Sequence, residues 1–143
     1  LILFQPLILG MAGNIGTQAL AVTILGIHQS DFNEKSKAKK HITSELLIGL
    51  TNSLLLGAIA FIFVQVYLSL LGTVSQSPIE MAFIVFISLS MAMFISSVIG
   101  SVVPIIFDRL KIDPASASGP LMTTINDIVS LVIYFSIATW MFL

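Results

Sequence analysis

One acidic side chain, Asp127, lies in an apolar segment that carries no other charge from Pro114 to the last residue. Placing a carboxylate in a bilayer core costs at least ~2.5 kcal/mol, so such a group usually faces a partner, a cavity or an ion pathway. The apolar runs of the sequence contain no Lys or Arg that could pair with it. Asp127 must therefore contact water or a cation, or stay protonated and hydrogen-bond to a neighbouring helix.

The residues before Asp127 are polar at helical spacing. Gly119, Thr123 and Asp127 are four residues apart, so a helix places all three on one face. A face of glycine, hydroxyl and carboxylate is a poor lipid contact and a suitable lining for an aqueous path. Thr124 and Asn126 add further polar groups. Because threonines in membrane helices also serve only to hydrogen-bond across helices, the prediction depends mainly on the carboxylate.

A second group of small and polar residues, Gly13, Asn14, Gly16 and Gln18, lies in the first apolar run. Closely spaced glycines let helices approach each other, or expose backbone carbonyls where a helix loosens. The glycines by themselves favour close helix packing. Asn14 and Gln18 form an i, i+4 pair of amides on one face, which packing does not require. The pattern therefore predicts a second lining segment.

Most catalytic chemistries are excluded by what the apolar runs lack. An intramembrane aspartyl protease needs two carboxylates on facing helices, and these runs contain one. A serine hydrolase needs a positioned base, whereas His28 and His41 lie in a basic segment, where we expect loop or interface residues. The chain has no cysteine, no phosphate-binding GxxxxGK[ST] motif and no basic patch interleaved with aromatics. Neither an enzyme nor a nucleic-acid partner is expected.

The elements that would position these groups are membrane-spanning helices. Hydrophobic residues make up 57% of the 143 residues and charged residues 9%, whereas a soluble domain carries roughly 25% charged residues. Uncharged apolar runs of about 18 or more residues are long enough to cross a bilayer as helices. We predict an all-α, polytopic transmembrane bundle, a single domain over 1–143. Its four spans are predicted at about 1–27, 45–71, 79–107 and 120–143.

The basic residues predict the orientation of this bundle in the lipid bilayer. All six Lys and Arg residues lie in two connecting segments, 28–44 and 108–114. Lys and Arg are enriched in cytoplasmic loops, so we predict that both segments are cytoplasmic. Leu1, the 72–78 turn and Leu143 then lie on the outer side, as four spans require.

The residues around Asp127 indicate a cation without selecting one. A carboxylate among hydroxyls, amides and carbonyls is a hard-oxygen environment, unlike the nitrogen and sulfur ligands of zinc or copper. Mg²⁺ dehydrates reluctantly and is commonly held through its waters by one or two carboxylates. A two-fold dimer would bring two copies of Asp127 towards one axis and supply that pair. Na⁺ or H⁺ coupling is also chemically possible.

Two motifs resemble the MgtE family of magnesium transporters. One is GNIGTQ, residues 13–18, and the other is DPASASGPLMTTIND, residues 113–127. The second motif is long and specific, and the first supports it by its order and spacing. The similarity extends over essentially the whole chain and corresponds to the second to fifth helices of the family's five-helix membrane domain.

This resemblance implies a homodimeric Mg²⁺ channel with its pore on the dimer axis, in the plasma membrane of a prokaryotic cell. The first and last spans would line the pore, and the family's pore aspartate, which binds hydrated Mg²⁺, falls on Asp127. Other lining positions fall on Gly119, Thr123, Gly13 and Gly16. Some members have Asn in place of Gly119 and Ala in place of Thr123. The family's first helix and its cytosolic regulatory domains are expected to lie outside this chain.

Three hypotheses remain open from the sequence. In the leading one, Asp127 of two protomers recognises hydrated Mg²⁺ in a pore that Asn126 also lines, and Asn14, Gln18 and Thr123 help to hold the waters. In the second, the protein exchanges Mg²⁺ against a Na⁺ gradient, which the Na⁺ dependence of flux would reveal. In the third, the protein is a structural membrane subunit whose polar residues only join helices.

Overall fold

The protein is described by a computed structural model that covers residues 2–29, 35–72, 77–115 and 119–142. A 3-10 helix, Ile2–Phe4, leads into α1 (Gln5–His28), α2 (Lys35–Leu71), α3 (Pro78–Arg109) and α4 (Gly119–Phe142). All four α-helices are long and apolar enough to cross a membrane, and the described ranges contain no β-strand. The predicted all-α bundle with four spans is confirmed.

The start of α2 is the largest departure from the predicted boundaries. The sequence predicts a polar connection over 28–44, but α2 begins at Lys35; residues 30–34 lie outside the described residues. The prediction was wrong for 35–44. Lysine is unfavourable in lipid, so the lysines indicated a connecting loop, but lysine also has a high helix propensity. α2 has 37 residues, about 55 Å at 1.5 Å per residue, well beyond a bilayer core of ~30 Å. The helix is therefore long enough to extend out of the bilayer.

Proline and glycine define several helix ends. α3 begins at Pro78, where the missing N–H is not needed in a first turn. Gly72, directly after α2, has a φ of 61°, the left-handed conformation that commonly ends helices. Pro104 lies inside α3 and cannot donate a backbone hydrogen bond to the carbonyl of Gly100. The helix nevertheless continues to Arg109.

α3 is the central helix of the bundle. It packs against α1, α2 and α4, and α1 also packs along α4. The apolar core includes Leu89 and Met93 of α3, Ile8 of α1, Val64 of α2 and Tyr134 of α4. α2 joins the bundle mainly through α3. The two helices that carry the predicted lining segments, α1 and α4, are therefore neighbours.

Small residues let the helix backbones approach closely, as is common between membrane helices. A Cβ atom at Gly100 of α3 would collide with the carbonyl oxygen of Gly16 in α1. A Cβ at Gly49 of α2 would collide with the side chain of Ser97 in α3. The Ser97 hydroxyl donates a hydrogen bond of 3.3 Å to the backbone carbonyl of Glu45 in α2. These contacts fix α1 and α2 against α3.

Candidate functional site

Gly119, Thr123 and Asp127 lie on one exposed face of α4, which we call the open face. A Cβ at Gly119 would meet no atom within 4 Å. Thr123 Oγ1 lies within hydrogen-bond distance of the carbonyl oxygens of Gly119 (3.3 Å) and Pro120 (3.1 Å). The Thr123 hydroxyl thus donates its proton to a backbone carbonyl of its own helix. Its oxygen can still accept a hydrogen bond from a ligand. The shared face agrees with the predicted spacing.

The Asp127 carboxylate has no hydrogen-bond or ion-pair partner in the described part of the chain. It lies within the apolar span of α4, Gly119–Met141. An unpaired carboxylate in contact with lipid is energetically costly, so the open face requires water, a cation or another protein chain. One carboxylate per chain can hold a cation through that ion's waters.

α1 carries a polar strip made of Gly10, Gly13, Asn14 and Gln18. Asn14 and Gln18 are exposed, in agreement with the predicted i, i+4 pair. A Cβ at Gly10 or Gly13 would meet no atom within 4 Å, so neither glycine is needed for packing within this chain. Thr17 Oγ1 donates to the Gly13 carbonyl at 2.9 Å. The strip and the open face lie on adjacent helices, because α1 packs along α4.

Gly16 and Asn126, two of the predicted lining residues, lie inside the bundle. Asn126 is fully buried, and a Cβ at Gly16 would collide with its side-chain amide. Consecutive residues of a helix are about 100° apart, so Asn126 turns inwards where Asp127 takes the open face. Neither amide atom of Asn126 has a hydrogen-bond partner in the chain as described. The two residues join α1 to α4 behind the open face.

Glu45 is a candidate that the sequence left at the edge of a span and the structure places between helices. Its residue is 8% exposed, and it lines a small cavity with Gln18, Asn52 and Ser97. The predicted span begins at Glu45 because the charge of this residue interrupts the apolar run. The signal that could have found this residue is the i, i+4, i+7 spacing of Glu45, Gly49 and Asn52, which puts all three on one helix face.

The described ranges contain no group of three or more His, Cys, Asp or Glu side chains that could hold a metal ion. His28 Nδ1 lies 2.9 Å from the carbonyl oxygen of Ile24. His41 Nε2 lies 2.9 Å from Oγ1 of the buried Thr23. Both rings thus contact polar groups of α1.

Residues 5–137 match the model of the MgtE family, described as a divalent cation transporter. The chain belongs to the MgtE family. A magnesium transporter MgtE of Bacillus subtilis is 40% identical over 136 residues, which are 95% of this chain and 28% of that protein. The magnesium transporter MgtE of Enterococcus faecalis is 36% identical over 139 residues, 97% of this chain and 29% of that protein. The Thermus thermophilus protein of the same name is 30% identical over 139 residues, 94% of this chain and 28% of that protein.

This MgtE chain spans less than a third of the length of the curated relatives it matches. Family membership confirms the resemblance inferred from the two motifs. Together with the four apolar helices it identifies an integral, multi-pass membrane domain of a divalent cation transporter family. The open face and the polar strip both lie within the matched residues 5–137.

Proposed function

We propose that this MgtE domain conducts Mg²⁺ across the membrane, and that the Asp127 carboxylates of two protomers recognise the hydrated ion at a dimer axis. The observation that carries the proposal is the exposed Asp127 carboxylate within the apolar span of α4, unpartnered in the described ranges. The names of the relatives, magnesium transporters, favour Mg²⁺ as the ion.

Water-mediated recognition suits both the ion and the site. Mg²⁺ holds its waters tightly and is usually bound through one or two carboxylates. The waters of a hydrated ion are hydrogen-bond donors, and a carboxylate is purely an acceptor. Since a two-fold interface presents the same surface from both subunits, one aspartate per chain provides the pair. The carboxylates select for charge, and their separation selects for the size of the hydrated ion.

We assign the other residues of the proposed pore lining from their exposure in the structure. Thr123 and Gly119 continue the open face along α4, while the amide oxygens of Asn14 and Gln18 accept hydrogen bonds from the waters on the α1 side. Gly13 keeps the path wide because it has no side chain. Gly16 and Asn126, which the sequence also places in the lining, act behind it by holding α1 against α4.

Mg²⁺ influx into proteoliposomes tests the proposal. Asp127→Ala should abolish influx and leave the melting temperature close to that of the wild type, because an exposed side chain contributes little to packing. Glu80→Gln is the matched control, since it also removes one exposed carboxylate, in the first turn of α3. Its influx should equal that of the wild type. Undiminished influx through Asp127→Ala contradicts the proposal.

Cross-linking tests the dimer separately. Single cysteines at Thr123→Cys, on the open face, should be joined between protomers by a short bismaleimide. The control is Ile128→Cys. Ile128 is also exposed on α4, but it lies about 100° around the helix from Asp127 and therefore off the open face. Equal cross-linking at both positions, or none at position 123, contradicts a pore lined by the open faces of two protomers.

A further inference from the structure

The first turns of α2 carry an exposed pair of lysines, Lys39 and Lys40. They share one stretch of open surface with hydroxyl groups and one leucine. We call this stretch the lysine face, and it is formed by Ser36, Lys39, Lys40, Thr43, Ser44 and Leu47. The spacing of three and four residues places these side chains on one side of the helix. Two positive charges thus lie beside hydroxyl groups on an open surface.

The lysine face is directed away from the helix bundle. Ala38, 3% exposed, and Glu45, 8% exposed, lie on the side of α2 that packs. His41 on the same side contacts Thr23 of α1. At 100° per residue, Lys40 lies about 200° around the helix from Ala38. A ligand of the lysine face must therefore come from outside the bundle.

The charges of the lysine face are not neutralised within the described residues. The ammonium groups of Lys39 and Lys40 have no hydrogen-bond or ion-pair partner in that part of the chain. Over the whole sequence, the segments 28–44 and 108–114 contain all six basic residues against four acidic ones, Asp31, Glu34, Asp108 and Asp113. The excess of positive charge favours an anionic ligand.

The lysine face also crosses the boundary of the apolar span. From Leu46 to Leu71, α2 carries no charge, and this length of about 39 Å exceeds a bilayer core of ~30 Å. Leu47 lies at the edge of this apolar stretch, and Lys39 lies about 12 Å closer to the start of the helix. Lysines near the ends of membrane helices extend their charge to the interface. Along its length the face therefore changes from apolar to positive, as a phospholipid changes from acyl chain to phosphate.

We propose that the lysine face binds the headgroup of an anionic phospholipid. Lys39 and Lys40 pair with the phosphate, the Ser44 hydroxyl can donate to a phosphate oxygen, and Leu47 contacts the acyl chain. Thr43 Oγ1 donates to the Lys39 carbonyl at 3.0 Å, so its proton is not available to the phosphate. A free phosphate ion would match the charges but not the apolar end of the face. This lipid site does not depend on the Mg²⁺ conduction proposed above.

Native mass spectrometry of the purified protein in a neutral detergent tests the lysine face. Phosphatidylglycerol is titrated in, and the fraction of protein that carries a bound lipid is measured at each concentration. A lysine near anionic lipid contributes about fivefold in affinity, so Lys39→Gln/Lys40→Gln should weaken binding about 30-fold. Phosphatidylcholine, which has no net charge, should bind the wild type at least about tenfold more weakly than phosphatidylglycerol.

A matched control removes the same charge outside the lysine face. Lys37→Gln/Lys111→Gln replaces two exposed lysines that do not belong to it. Because separated surface charges are screened by salt, this variant should weaken binding by about threefold or less. Glutamine and lysine have similar helix propensities, and all four lysines are exposed, so both double variants should fold. Circular dichroism checks their helix content.

Inorganic phosphate distinguishes a lipid from a free anion as the ligand. Added in large excess over phosphatidylglycerol, it should leave most of the bound lipid in place. Displacement of the lipid by inorganic phosphate at a comparable concentration would overturn the proposal. Equal weakening in the two double variants would also overturn it, because binding would then depend on total charge and not on the lysine face. Equal affinity of the wild type for phosphatidylcholine and phosphatidylglycerol would do the same.

Discussion

Asp127 and Glu45 are the same chemical group in opposite surroundings. Asp127 is exposed on the open face of α4, and its carboxylate has no partner in the described residues. Glu45 is 8% exposed and lies beside a small pocket where α1, α2 and α3 meet. The comparison teaches that helix packing, and not residue type, determines which acidic residue stays exposed.

Helix packing produces this difference. α4 buries one face, formed by residues four apart that include Asn126 and Tyr134, and leaves Asp127 on another. α2 packs on α3, and Gly49 brings the two backbones so close that Ser97 fills the space beside it. Glu45, one turn before Gly49 on the same face, is covered by this approach. The neighbouring helix thus determines how much of each acidic residue is exposed.

The largest effect is expected from changing the charge at the open face. Asp127→Asn should reduce Mg²⁺ influx about 100-fold or more, because each protomer loses a charge-assisted hydrogen bond and each such bond contributes about tenfold. Asp127→Glu keeps the charge and should retain more influx than Asp127→Asn. Equal influx through the two variants would show that charge at this position is not what recognises the ion.

Backbone contact between α1 and α3 gives the next effect. Gly100→Ala would force a methyl group against the Gly16 carbonyl, and overpacking of this kind costs about 1–3 kcal/mol. The melting temperature should fall accordingly. Gly13→Ala is the matched control, because its Cβ would meet no atom within 4 Å. A drop of similar size in both variants would mean that the strip on α1 is packed and not open.

The melting temperature compares the two acidic residues directly. Glu45→Ala should lower the melting temperature by about 2 °C or more, because it removes packed side-chain atoms from a residue that is only 8% exposed. Asp127→Asn should leave it within about 1 °C, since solvent already surrounds that group. An unchanged melting temperature in Glu45→Ala would contradict a stabilising role for the packing of this side chain.

The smallest effect is expected at Thr123. Its hydroxyl proton is directed to the carbonyls of Gly119 and Pro120, so the side chain offers the ion's waters one oxygen acceptor. Thr123→Ala should lower Mg²⁺ influx by less than about threefold, less than a full neutral hydrogen bond would give. Influx measured beside Thr123→Ser, which keeps the hydroxyl, checks this. A loss as large as that of Asp127→Asn would place Thr123 in the primary recognition of the ion.

The sequence predicts those features that depend on local spacing. Uncharged apolar runs identify the four spans, and the i, i+4, i+8 spacing places Gly119, Thr123 and Asp127 on one face. It could not predict the start of α2, because hydropathy measures compatibility with lipid and not helix formation. Nor could it predict that Asn126 meets Gly16, or that Ser97 approaches Gly49. These contacts join residues distant in sequence, and they determine which polar groups are buried.

The most direct test of the central claim uses an ion that cannot lose its ligands. Hexaamminecobalt(III) is octahedral, close in size to hydrated Mg²⁺, and does not exchange its ammonia ligands. If paired Asp127 carboxylates recognise the ion through its waters, this complex should block Mg²⁺ influx into proteoliposomes of the wild type at concentrations comparable to that of Mg²⁺. Its potency should fall about tenfold in Asp127→Glu, where the spacing of the carboxylates changes. Full Mg²⁺ influx in the presence of excess complex would contradict recognition of the hydrated ion at Asp127.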